Sequence, residues 1–263
     1  MKKTFRRFAP VALVLLGLTV LSFATAAGVT LRLKPEQGKT QTITSKANMM
    51  TIIEMQGQSI NMSQVMETRQ SFKATKVTDE TSDFETQIDA IKMTMSQMGM
   101  KFEYDSEHPE KTSPMLAGQT KEIEAALKKP VTITYDALGN IVGDTIDLDM
   151  SQLGAAIYQL PEKDLTVGSK WSSSRTQSVS KNEFKVNMEY TVTAISKKSV
   201  DVEFTGTIDS KEVSGTYNGT ASFNPQTGIV MASTTKSNIS MTVNEQGMSL
   251  PMTVVATTTV EVK

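Results

Sequence analysis

Two stretches, Phe184-Lys-Val-Asn-Met-Glu-Tyr-Thr-Val-Thr-Ala and Val200-Asp-Val-Glu-Phe-Thr-Gly-Thr-Ile, alternate apolar and polar residues with a period of two. In an extended chain that period sends successive side chains to opposite faces, so each stretch buries one face and wets the other. A helix would scatter the same residues around its circumference. Shorter runs rich in threonine, serine, valine and isoleucine recur along most of the chain, as expected for antiparallel strands with one solvated face. The chain is therefore mainly β, and we expect one or more curved antiparallel sheets, half-barrel-like or sandwich-like.

Only two segments carry helical spacing. In residues 119–128 Ile123 and Leu127 share a face at i, i+4; in residues 149–160 Leu153, Ala156, Ile157 and Leu160 make a stripe behind Asp149 as N-cap. Pro130 and Pro161 stop them. Two short mid-chain helices are expected.

A faint duplication surrounds them. Phe72, Ala74, Phe84, Ile88 and Asp89 find Val192, Ala194, Phe204, Ile208 and Asp209 at a constant offset of 120 residues. Upstream of each copy lies a glycine leading into a strand, Gly38 and Gly168. Downstream lies a hairpin with an aromatic residue, an acid or amide, and a glycine: Tyr135-Asp-Ala-Leu-Gly-Asn-Ile-Val and Phe223-Asn-Pro-Gln-Thr-Gly-Ile-Val. Gly139 and Gly228 suit the positive φ of a tight turn, and Asp136 and Asn224 suit bonds to its backbone. The shared order of three elements points to two related β halves, residues 27–145 and 165–263, joined by a helical linker over 146–164 and forming one compact unit.

The first residues, MKKTFRRFAPVALVLLGLTVLSFATAAG, place Lys2, Lys3, Arg6 and Arg7 before the apolar run Val11–Phe23 and the small-residue site Ala24-Thr25-Ala26. That is the layout of a cleavable signal peptide over residues 1–26, and the apolar run is too short for a membrane span. Cysteine is absent, which removes disulfides, thiol nucleophiles and an acylated cysteine after cleavage. The expected product is periplasmic or secreted, is not a lipoprotein and keeps no stable membrane span. Cleavage leaves 23 basic against 28 acidic residues, a net charge of about −5. That sign and the lack of a basic run argue against nucleic acid.

Catalytic chemistry finds no motif. His108, the single histidine, stands in a polar loop without partners for a zinc site or a triad. Asp144, Asp147 and Asp149 are close in sequence but lack the glycine and terminal acid of a calcium loop. There is no phosphate-binding glycine loop, nucleophile elbow or paired-histidine helix. We assign no catalytic residue, no metal ligand and no cofactor.

Methionine stands out instead: 17 are present, many in three clusters flanking Gln/Gly bends. These are Met55, Met62 and Met66; Met93, Met95, Met98 and Met100; and Met241, Met248 and Met252. In a strand Met93 and Met95 share a face with Ile91, and beyond the turn Met98 and Met100 run in phase with Phe102 and Tyr104. Three readings fit: core packing, an adaptable ligand-lining surface, and Cu(I) held by thioethers. Apolar company and the lack of paired histidines weigh against copper. Trp171, the sole tryptophan, plugs the core or lines a ligand.

The element Leu160-Pro-Glu-Lys-Asp-Leu-Thr-Val-Gly-Ser-Lys-Trp171, with Tyr135-Asp-x-x-Gly-x-Ile-Val, resembles a family of uncharacterised exported bacterial β proteins in which a Leu-Pro, a Val-Gly and a tryptophan stand at similar spacing. More distantly, the layout is similar to envelope lipid and lipoprotein carriers built as unclosed half-barrels. The resemblance implies a fold and no catalytic residue. The expected role is a non-catalytic exported envelope protein that binds or carries a lipid or other hydrophobic ligand, or an envelope protein partner. Met93, Met95, Met98, Met100 and Trp171 are the candidate lining. A purely structural or interaction protein, or a Cu(I) binder, is the alternative.

Overall fold

A computed structural model describes residues 28–55, 57–116, 124, 127, 129–143, 158–179, 182–210, 213–245 and 248–263. The alternating segments form β1 (Thr40–Met55), β2 (Gln58–Val77), β3 (Thr81–Gln97), β4 (Met100–Asp105), β5 (Val131–Asp136), β6 (Lys170–Val179), β7 (Asn182–Ile195), β8 (Val200–Asp209), β9 (Val213–Phe223), β10 (Val230–Glu245) and β11 (Met248–Val262). They make one open sheet in the order β4-β3-β2-β1-β11-β10-β9-β8-β7-β6, with β5 pairing the free side of β3 beyond β4. A two-sheet sandwich is thereby replaced by a single unclosed antiparallel sheet. The last strand lies at its centre, with β1 paired to β11 from Ile43↔Val262 to Ile53↔Met252.

Register fixes what each face carries. One row of directly paired residues runs Tyr104, Met93, Met66, Ala47, Thr258, Thr235, Gly219, Phe204, Tyr190, Trp171 across ten strands. Paired residues point to the same side, and we call this the inner face. Extra residues at Thr75, Asp89, Thr193 and Met231 bulge the strands. Bulges restore the facing of the apolar series, as when Ile88 and Ile91 enter one cluster despite their odd spacing.

The main core lies at one end of the inner face, the base, and includes Ile43, Phe72, Phe84, Tyr135, Trp171, Tyr190, Phe204, Phe223 and Val260. It is closed by residues 28–36 and 158–165, which strap the sheet. Val29 and Leu165 exchange backbone bonds of 2.9 Å, the Leu33 N–H donates to Ala137 O at 2.8 Å, and the Lys34 N–H donates to Thr227 O at 3.0 Å. The strap thus seizes both glycine hairpins. In these, Asp136 Oδ1 accepts from the N–H groups of Leu138 and Asn140, and Asn224 Oδ1 from those of Gln226 and Thr227. Gly228 has φ +68°, and a Cβ there would meet Arg32 O at 2.4 Å, so strap and turn approach where only glycine fits.

The two flanks share details at a spacing of 118 residues. Thr75 and Thr193 each donate a hydroxyl bond to a backbone carbonyl, of Asp83 at 3.2 Å and of Asp201 at 3.1 Å. Thr78 and Ser196 each bond residue i+3 in the following turn, with hydroxyls accepting from the N–H groups of Thr81 and Ser199 at 2.9 Å. Asp83 and Asp201 each accept a hydroxyl bond from the next strand, from Thr134 at 2.8 Å and from Ser222 at 2.6 Å. In this register Ala74 matches Val192, both buried, rather than the exposed Ala194.

The expected helix over 119–128 lies outside the described residues apart from Glu124 and Leu127, and that over 149–160 apart from its last three. Those three, 158–160, are not helical. The Leu160 N–H donates to Leu138 O, and Tyr158 lies edge-on to Phe223 at 5.5 Å, so core packing holds this stretch as strap. The helical turns described in full are one-turn 3-10 segments at Pro109–Lys111 and Pro114–Leu116. Residues 1–26, the expected signal peptide, and the acids Asp144, Asp147 and Asp149 lie outside the described residues. Among the described residues no helix is long and apolar enough to cross a membrane.

Candidate functional site

The hairpins β1–β2, β3–β4 and β10–β11 turn at the end of the sheet opposite the strap, because β1 and β11 are neighbours in the sheet order. All three methionine clusters therefore gather at one end, the tip. Register places Met49, Met62, Met66, Met93, Met95, Met100, Met188, Met241 and Met252 on the inner face. Met66 is paired directly with Met93, and Met241 with Met252. Ile53, Ile60, Ile239 and Val254 fill positions between them.

Burial divides the part of this face on β1–β4, β10 and β11, whereas at the tip ends of β7, β8 and β9 Phe184, Val186, Ile208 and Val213 form a buried third cluster. At the base Phe84, Val202 and Phe223 are almost fully enclosed. At the tip Met49, Met62, Met66, Met93, Met95, Met241, Met252, Ile53, Ile60, Ile239 and Val254 are half-buried, and Met100 is exposed. Surface of this kind is apolar, adaptable and still partly in contact with solvent.

The candidate lining residues fall into three environments. Met93 and Met95 pack against a second cluster of Ile88, Ile91, Phe102, Tyr104 and Leu116. The Gln64 amide donates to Met93 Sδ at 3.0 Å. Met100 shares their face, while Met98 sits in the turn with φ 50° and 72% exposure. Trp171 belongs to the main core: its ring stacks on Tyr190 at 4.7 Å, and its Nε1–H donates to Gln159 O at 3.1 Å. Tryptophan and methionines thus share a face but lie in separate clusters.

Charge is segregated even more sharply. Register places the strand lysines and aspartates on the outer face; the charged positions it places on the inner face are Arg175 and, at the turn end of β10, Glu245. Sequence reasoning passed over Arg175, although Trp171-Ser-Ser-Ser-Arg175 holds the signal: two residues apart by four share a strand face. The outer face bears a concavity of about 620 Å³ lined in part by Lys46, Glu67, Arg69, Lys92, Glu107 and His108. There Lys46 pairs with Glu67 at 2.8 Å and Arg69 with Glu107 at 2.7 Å. The Lys46 hydrogen bond holds the Glu67 carboxyl below its usual range, and Arg69 does the same to Glu107. His108 is exposed and lies 3.4 Å from Glu110. Balanced, solvated pairs of this kind are a wet surface rather than a reactive centre. Among the described residues no group of three His, Cys, Asp or Glu side chains could hold a metal ion.

Residues 150–259 match a family of unknown function, DUF6263. No curated protein matches the chain. Among solved structures it is similar to lipovitellin, in a structure titled for lipid–protein interactions, with a TM-score of 0.51 and 12% identity over 88% of this chain and 25% of that one. The chain thus spans a quarter of the length of that relative, and at this identity the likeness is one of fold. Weaker likenesses are to an outer membrane channel from Pseudomonas putida F1 (TM-score 0.29, 8% identity, 88% of this chain and 97% of that one) and the translocator domain of autotransporter NalP from Neisseria meningitidis (TM-score 0.26, 7% identity, 86% and 89%).

Proposed function

We propose that this chain is an exported, non-catalytic binder of a hydrophobic molecule, which it holds on the inner face at the tip of the sheet. The observation that carries this reading is the combination of a nearly charge-free inner face with half-buried thioethers at Met49, Met62, Met66, Met93, Met95, Met241 and Met252. A sheet that needed only a core would enclose these side chains as it encloses the aromatic residues at the base. Unbranched methionine repacks around apolar partners of different shape, as a carrier surface requires. The fold shared with lipovitellin, a structure titled for its lipid interactions, supports the same class of ligand.

The uncharged dye Nile red, whose fluorescence rises in apolar surroundings, tests the reading. The protein is expected to enhance its emission, and Met62→Glu with Met241→Glu is expected to weaken dye binding about tenfold by placing charge on the face. Met50→Glu, on the outer face opposite Val255, is expected to leave binding unchanged. Equal binding by all three proteins would place the site elsewhere.

A further inference from the structure

Arg175 lies on β6, the edge strand of the sheet, paired to Val186 and pointing to the same side as Trp171. No ion pair or hydrogen bond engages its guanidinium among the described residues. Its charge does reach the phenols of Tyr135 and Tyr190, offsetting part of the effect of their burial. An unpaired guanidinium beside an apolar surface is costly unless it reaches water or meets an anion. The free side of β6 leaves it both options.

From Arg175 a row of directly paired positions crosses the sheet through Val186, Ile208, Gly215, Ile239 and Val254 to the methionine strands. Every member after Arg175 is uncharged. At about 4.8 Å per strand, the distance along the sheet from β6 to β11 is about 24 Å. The row thus has a cation at one end, half-buried thioethers at the other, and between them Val186 and Ile208, which pack with Phe184 and Val213 into a buried apolar floor. That polarity matches an amphiphile with an anionic head and a long acyl chain.

We propose that Arg175 is the headgroup anchor of this face, and that the molecule bound there is an anionic amphiphile whose acyl chain lies across the strands toward Met241, Met252 and Met62. The guanidinium offers a planar fork of donors that suits a carboxylate or a phosphate equally, while the strand edge lets the head stay hydrated. An uncharged lipid would leave the arginine without a partner. This inference rests on the binding reading above but fails separately from it.

Nile red displacement separates the two. Dodecanoate, dodecyl phosphate and the uncharged monoglyceride of dodecanoate are titrated against dye-loaded protein below their micellar concentrations, with circular dichroism as a check on folding. Either or both anions are expected to displace dye about tenfold more strongly than the monoglyceride. Preference for one anion identifies a carboxylate or a phosphate head. Arg175→Gln is expected to erase the anion preference while retaining Nile red, Arg175→Lys to restore part of it, and added salt to weaken it in the native protein. Equal displacement by all three amphiphiles, or an anion preference that survives Arg175→Gln, would overturn the proposal. So would a variant that merely dimerises with its preference intact, because Arg175 would then be an inward charge guarding the edge strand. Absence of any dye binding would overturn the carrier reading and this one together.

Discussion

Tyr190 stacks on Trp171 and lies edge-on to Tyr158 at 6.4 Å, in the layer where sheet and strap meet. Burial pushes its phenol up to about 12 from an ordinary value of 10.0, with a Ser173 hydrogen bond and the charge of Arg175 pulling in the other direction. Tyr135, Tyr158 and Tyr217 are raised by burial as well. A group raised in the folded state contributes stability below its unfolded value and loses it as pH rises through the folded one. Thermal stability should therefore be steady to about pH 10 and fall between about pH 10 and 12, with Tyr190 accounting for about 2–3 kcal/mol of the loss. Melting followed by circular dichroism across that window checks this. A melting temperature that is flat through it, or a slope unchanged by Tyr190→Phe, would show that the phenol is not enclosed as described.

At the scale of elements, the matched bulges, hydroxyl turns and aspartate bonds lead us to propose that β1, β2, β3 and β5 and β6, β7, β8 and β9 are two copies of one four-stranded unit. If so, the turns are interchangeable. Replacing Thr78-Asp-Glu-Thr81 by the Ser-Lys-Lys-Ser of residues 196–199 should move the melting temperature by less than about 3 °C, because the same backbone bonds re-form. A loss of more than about 10 °C would mean that the resemblance of the two turns is superficial. The sequence pattern aligned the halves at 120 residues, whereas their hydrogen bonds align them at 118. A period-two pattern matches itself at any even shift, so it reveals which face a residue takes and leaves register open. Register is set by the hydroxyl and carboxylate contacts of Thr75, Thr193, Asp83 and Asp201. The described end of the expected helix over 149–160, residues 158–160, is not helical for a related reason. Its last residues are apolar at helical spacing, yet Tyr158 and Leu160 are held by aromatic packing and a distant carbonyl that local periodicity does not register.

For the whole molecule, alternation sufficed to predict an open or sandwiched antiparallel sheet, and Gly139 and Gly228 announced turns that exist with positive φ. The methionine clusters were visible as hairpin ends. That they converge was not, because convergence depends on β11 returning to pair with β1, a contact between residues about 200 positions apart. Strand order of this kind is a tertiary choice. It turns three separate hairpins into one apolar field, closed by the strap at the base and half-exposed at the tip. The central claim is that this field holds a hydrophobic molecule. Native mass spectrometry of the protein purified from the cells that make it, before and after extraction with organic solvent, tests that claim most directly. The account predicts a lipid-sized added mass that disappears on extraction and is reduced in Met62→Glu with Met241→Glu. A clean unliganded mass before extraction, from protein that also fails to enhance Nile red, would contradict it.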